Sequence, residues 1–197
     1  MFRSLCLYCG LGLLSSPLAI AQGESNDPSV AHDSGIYLYS AGVMTILEPA
    51  AYQGHKMMAI PYWPGATMKA IIQGPQSSIR TGDTNPVFYF YFDTKAAGLG
   101  QAQSGTASSP NQYALIKMES KKSDRETPIL KANYYWVGSV SQGSHNMVSF
   151  RLERLRAGVY KVFPAQPLEH GGEYCFMRSY AGMGAAAAAE IYDFGVN

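Results

Sequence analysis

Cysteine is scarce. The 197-residue chain has three, and two of them, Cys6 and Cys9, stand at its very start. Cys6-Leu7-Tyr8-Cys9 spells C-x-x-C, which in a cytosolic chain suits redox or zinc chemistry. Here it falls within what reads as a cleavable leader. Arg3 supplies a short positive start, Leu5 to Leu14 a mostly apolar run, Ser15-Ser16-Pro17 a break, and Ala19-Ile20-Ala21 a small-x-small cleavage site before Gln22. Beyond Ala21 only Cys175 remains, so no internal disulfide can form and the mature chain must be held by its core.

Long hydrophobic runs are missing too. The leader's run is too short to span a bilayer, and no other apolar stretch approaches about 20 residues, so no transmembrane segment is expected in the mature chain. The cleavage point carries no cysteine, which excludes a lipoprotein signal. The expected localisation is therefore periplasmic or extracellular. Charge is low as well: 15% of residues are Asp, Glu, Lys or Arg, with a formal net charge of +1. There is no basic excess to neutralise phosphates, so nucleic acid is not an expected partner.

Catalytic signatures are equally thin. No G-x-S-x-G elbow occurs. His32, His55, His145 and His170 show no zinc-site spacing. Gly143-Ser144-His145 sets a hydroxyl beside an imidazole, but adjacent residues rarely point at each other. Gly182-Met183-Gly184-Ala185-Ala186-Ala187 matches G-x-G-x-x-A, yet the chain ends before the second strand and acid that a dinucleotide site needs. Cys175 sits within a β run, as a small apolar filler does, on the face opposite Tyr174 and Phe176. Glu119, Asp124 and Glu126 read as solvated partners of Lys121, Lys122 and Arg125. No catalytic residue, cofactor or metal is expected.

What the chain does have is aromatic side chains. In Pro86-Val87-Phe88-Tyr89-Phe90-Tyr91-Phe92-Asp93, Phe occupies the even positions and Tyr the odd. An extended chain sends Phe88, Phe90 and Phe92 to one face and Val87, Tyr89 and Tyr91 to the other. Each buried ring is worth roughly 1.5–3 kcal/mol, so this should be a central strand with its Phe face in the main core. Around it lie further β signals. Gly35–Tyr39 and Val43–Leu47 flank Ser40-Ala41-Gly42 as a hairpin, and Ala50 to Gly65 reads as irregular. Thr67–Gln73, Ser77–Thr81, Tyr113–Glu119, Val148–Glu153, Gly158–Phe163, Glu173–Met177 and Ile191–Val196 read as strands. Lys95 to Gln112 should be a long surface loop, and Lys121 to Glu126 a charged turn or edge. Strand signals every ten or so residues, without a helical period, argue for an all-β antiparallel sandwich. The expected organisation is a signal peptide over 1–21, a flexible lead-in over 22–34 and a single β-sandwich domain over 35–197.

Two aromatic clusters fall in loops: Tyr62-Trp63 between prolines, and Tyr134-Tyr135-Trp136 running into a Gly/Ser stretch. Consecutive rings cannot all face one core. They form either a second small core or a platform for a glycan, peptide or protein, since rigid Tyr and Trp favour interfaces. The expected role is a non-catalytic binding or structural module that recognises a protein or glycan of the cell envelope. The alternative is a hydrolase acting on cell-envelope or extracellular polymers.

Leu168-Glu169-His170-Gly171-Gly172-Glu173-Tyr174 resembles the approach to a late strand of immunoglobulin-like sandwiches, where a Tyr hydroxyl bonds back to upstream backbone. More broadly, Gly35-Ile36-Tyr37, Leu47-Glu48-Pro49, Pro86 to Phe92, Arg125-Glu126, Gly158 to Val162, Gly172-Glu173-Tyr174 and Tyr192 to Val196 occur in an order that resembles a family of uncharacterised exported bacterial proteins. That resemblance implies an immunoglobulin-like β-sandwich and export, and no activity. Relatives tend to carry Pro-Gly where this chain has Gly171-Gly172, which removes a φ lock.

Overall fold

The computed structural model describes residues 25–50, 52–59, 65–94, 107–133, 140–141, 146–178 and 190–197. The expected leader and its Ala21–Gln22 cleavage point lie outside these residues, as does the Gly182–Ala187 motif. Within them the chain is all-β, with a short 3-10 turn at Pro110–Gln112.

The aromatic run forms β6 (Val87–Tyr91) at the middle of a five-stranded antiparallel sheet. On one side β6 pairs with β1 (Gly35–Ser40), and β1 pairs with β2 (Val43–Ile46). On the other it pairs with β13 (Val159–Pro164), which pairs with β12 (Phe150–Arg156). The β1–β2 hairpin closes through Ala41 and Gly42, both at positive φ (52° and 80°). That two-residue turn matches the right-handed twist of its strands.

A second sheet runs β11 (Met147–Val148), β7 (Tyr113–Lys117), β14 (Glu173–Arg178), β15 (Glu190–Val196) and β5 (Arg80–Thr81). All of its pairings are antiparallel except β15 with β5. Phe88 and Phe90, with Ile36, Leu38 and Val162, pack against Leu115, Tyr174, Phe176, Phe194 and Val196 of this sheet. Edge-on ring contacts cross the interface, including Phe88–Phe176 at 4.9 Å and Phe90–Phe176 at 5.1 Å. The Phe face of the aromatic run therefore lies in the main core, where its alternation puts it.

The structure adds a layer that the pattern did not suggest. A third sheet holds β3 (Tyr52–Ala59), β4 (Gly65–Gln73), β9 (Asp124–Asn133) and β10 (Val140–Ser141), with β8 (Glu119–Ser120) also on β9. It covers the far face of the second sheet. Ala70 and Ile72 of β4 meet Ala114, Ile116, Cys175, Met177 and Ile191. All six residues of β14 are buried, because that strand lies between two layers.

Two expectations fail here. Within the stretch 50–65, Tyr52–Ala59 is not irregular but a strand made by its ladder with β4. Lys121 to Glu126 is not simply a charged turn, because Asp124 to Glu126 open β9, and Arg125 and Glu126 are buried. Neither segment has the alternation of a half-buried strand, and each acquires its form from a partner distant in sequence.

The outer, tyrosine face of the first sheet is also covered. Tyr37, Tyr89, Tyr91 and Val159 form a third apolar cluster. Over it lies the start of the described chain. Tyr91 donates its hydroxyl to Pro28 O (2.9 Å), the His32 ring sits 4.9 Å from that of Tyr91, and Arg156 donates to the carbonyls of Ser29 and Val30.

Candidate functional site

Two places in this frame bear on function. The first is a cleft of about 300 Å³ lined by Glu48, Pro49, Ile72, Gln73, Ser78, Arg125 and Asp193, among others. Arg125 and Asp193 are its titratable groups, joined by Glu48. Arg125 and Asp193 belong to a charged cluster built at the meeting of four strands, β5, β9, β14 and β15, from distant parts of the chain. Arg125 of β9 donates Nε to Gly74 O (3.1 Å) and Nη2 to Gln73 O (3.2 Å), and Nη1 reaches the carboxylates of Asp193 and Glu173. Glu173 also accepts from the Ser77 amide (2.8 Å) and from Arg80. Arg80 in turn donates to Val196 O and to the Asn197 side chain. Gly195 leaves the room for this, since a β-carbon there would strike the Arg80 guanidinium.

The chemistry of this cluster follows from its saturation. Each nitrogen of the Arg125 guanidinium already has a protein acceptor, and both Glu173 oxygens are taken. A general acid or base needs a group whose proton can reach substrate, and these are spent on one another. The cluster ties the third sheet to the second, as a buried, hydrogen-bonded ion network does.

Arg125 and Glu126 are not the solvated partners that their charged neighbours suggest: Arg125 turns inward to Asp193 and Glu173, and Glu126 pairs with Lys69 at 3.1 Å. The one signal available was the charged pair Arg125-Glu126 directly preceding the uncharged Thr127-Pro128-Ile129-Leu130.

Cys175 is fully buried against the third sheet, and burial pushes its thiol up to about 12, so it is no nucleophile at neutral pH. His32 packs its ring tilted against Tyr37 and Tyr91, and His170 donates Nδ1–H to Asn197 O. Among the described residues no three His, Cys, Asp or Glu side chains converge as a metal site requires. Nor is any helix among them long and apolar enough to cross a membrane.

The second place is one end of the third sheet. Tyr62, Trp63, Tyr134, Tyr135 and Trp136 themselves lie outside the described residues, but the strands that carry them do not. Ala59 pairs with Ala66, Gly65 with Asn133, and Ala132 with Val140. Segments 60–64 and 134–139 therefore leave and rejoin the same end of one sheet, on neighbouring strands about 5 Å apart.

No family model matches the chain, and comparison with curated proteins and with solved structures likewise finds nothing similar.

Proposed function

We propose that this is an exported binding or structural module on an immunoglobulin-like frame, and that it recognises a protein or glycan of the cell envelope through Tyr62, Trp63, Tyr134, Tyr135 and Trp136. The observation that carries the reading is the Gly65–Asn133 pairing, which roots two aromatic segments, about 70 residues apart in sequence, on adjacent strands. Separate loops that bring Tyr and Trp to one rim supply rigid contact area at low entropy cost.

The immunoglobulin-like part of the proposal rests on strand order. With β1 as strand A, β5 as A′ and β6 as B, the first sheet is ordered D-E-B-A with β2 added outside A, and the second C′-C-F-G-A′. On the same assignment A′ runs parallel to G, and the Tyr174 hydroxyl closes a corner at the start of F. The third sheet is then two insertions, one between A and A′ and one between C and C′, which pair with each other. Within the cluster, Arg125 and Glu173 are engaged with protein partners, which favours a structural role for these two side chains.

The test uses the chain's only two tryptophans, Trp63 and Trp136, so that emission excited beyond the absorption of tyrosine reports on the proposed surface. Titration with soluble peptidoglycan fragments and with a detergent-free envelope protein extract should shift the emission. Replacing Tyr62 and Trp63, or Tyr134 to Trp136, by Ser should abolish co-sedimentation with the responding fraction while leaving the fold intact by circular dichroism. An emission spectrum indifferent to every fraction would refute the reading.

A further inference from the structure

Strand β12, Phe150-Arg151-Leu152-Glu153-Arg154-Leu155-Arg156, is the outermost strand of the aromatic sheet. Among the described residues no strand pairs with its outer side. It is exposed from Arg151 to Arg156, and Leu152 and Leu155 are among the exposed large apolar side chains of the described residues. At the opposite border, by contrast, the Met44 amide of β2 is already taken by the Asn26 side chain.

The backbone of β12 tells which of its groups are open. The Ala165 amide donates to Ser149 O at 2.8 Å, so Ser149 and Ala165 form a hydrogen-bonded pair. Such pairs recur at every second residue of an antiparallel ladder. Continuing the register, Arg151–Phe163 and Glu153–Lys161 are hydrogen-bonded pairs, whereas Phe150–Pro164, Leu152–Val162 and Arg154–Tyr160 are not. Pro164, opposite Phe150, has no N–H to give, which agrees. The amides and carbonyls of Phe150, Leu152 and Arg154 thus turn outward, away from β13.

We propose that β12 pairs with β12 of a second copy of this chain, antiparallel about a two-fold axis at Leu152. Only registers that set an outward-facing residue opposite another are allowed, which leaves pairings centred on a single residue. Centred on Arg151, Glu153 or Arg154, two like charges meet at the axis, and like charges directly opposite are destabilising. Centred on Leu152, the two Leu152 side chains meet on one face. On the other face Arg151 lies opposite the partner's Glu153, and Glu153 opposite the partner's Arg151. In the Leu152-centred register the edge is complementary to itself, and the two five-stranded sheets become one continuous sheet with an isologous contact. The irregularity between Arg154 and Arg156 ends the regular ladder on either side, so the pairing is confined to Phe150–Arg154.

The experiment is the mass of the purified chain by light scattering during size exclusion, over a concentration series, with three variants. The wild type should run as a dimer at the upper concentrations. Arg151→Glu and Glu153→Arg each set like charges opposite one another and should give monomers. The double variant Arg151→Glu/Glu153→Arg restores the complementarity and should recover the dimer, which misfolding would not do. Amide exchange adds an independent readout, because Leu152 and Arg154 should gain protection with concentration while Arg151 and Glu153, already bonded to β13, should not. A wild type that stays monomeric throughout overturns the proposal, as does a dimer that Glu153→Arg leaves intact.

Discussion

The backbone amide of Glu169 donates a hydrogen bond to the phenolic oxygen of Tyr174, 2.9 Å away across the turn that opens β14. The ring is almost wholly buried and stacks on Phe194 at 5.7 Å. Gly171 makes the turn with a φ of +70°, which proline cannot adopt, so this corner is not the Pro-Gly version with its lock removed. Gly172 makes room for the phenol. A β-carbon there would sit 2.6 Å from Tyr174 Cε2 and 2.9 Å from Glu169 O.

Tyr174→Phe should therefore lower stability by about 1–2 kcal/mol, because a partly buried amide loses its acceptor while the packing survives. Gly172→Ala should cost more, since relieving the contact moves backbone or ring. Urea unfolding of both variants measures this, and a Tyr174→Phe variant as stable as the wild type would remove the corner from the account of the fold.

The Arg125 cluster yields a larger effect. Glu173 is only 1% exposed at its side chain and Arg125 4%. Removing one partner of a buried ion pair leaves an uncompensated charge, typically at about 3–5 kcal/mol. Arg125→Met should fall in that range and, because Arg125 also holds Gln73 O and Gly74 O, should raise amide exchange in β4 and β9. The double variant Arg125→Met/Glu173→Leu should cost less than the sum of the two single changes, since both act through one network. Additive losses would show that the two side chains do not share an interaction.

Lys69 lies between two carboxylates, 2.7 Å from Glu119 and 3.1 Å from Glu126. The hydrogen bond from Lys69 holds the Glu119 carboxyl below its ordinary 4.5. Burial pushes the Lys69 ammonium down, but the bonds to Glu119 and then Glu126 outweigh it and leave the group above 10.5. Glu119, depressed in the fold, contributes stability that is present above its ordinary value and is lost as pH falls through its folded one. Lys69, raised in the fold, contributes stability present below its ordinary value and lost as pH rises through its folded one. The interaction should stabilise the chain between those limits. Lys69→Met should therefore narrow the difference in melting temperature between neutral and acidic buffer. Glu119 is partly exposed, so added salt should weaken its share. An unchanged acid limb in Lys69→Met would place the titration elsewhere.

The core was legible where alternation carried it. Phe88 and Phe90 declared a buried face by their spacing, and Ala114 and Ile116 of β7, with Met118 just beyond it, did the same. Cys175 falls opposite Tyr174 and Phe176 in the fold as it does in the alternating pattern. The hairpin turn at Ala41-Gly42 and the turn before Tyr174 were visible because each needs particular residues at particular places. The third sheet was not visible. Tyr52–Ala59 and Asp124–Asn133 owe their extended form to ladders with β4, which no local pattern encodes.

The order of residues alone settles which side chains of a strand share a face, because the period of two belongs to the backbone itself. It also points to strands joined by turns over the described residues, where no stretch keeps a sustained helical period. Which faces meet, that the second sheet is covered on both sides, that Arg125 finds Asp193 and Glu173 rather than water, and that Gly65 stands beside Asn133 were decided only in three dimensions. Those contacts join positions far apart in sequence. Their energy comes from burial and desolvation that exist once the layers have closed.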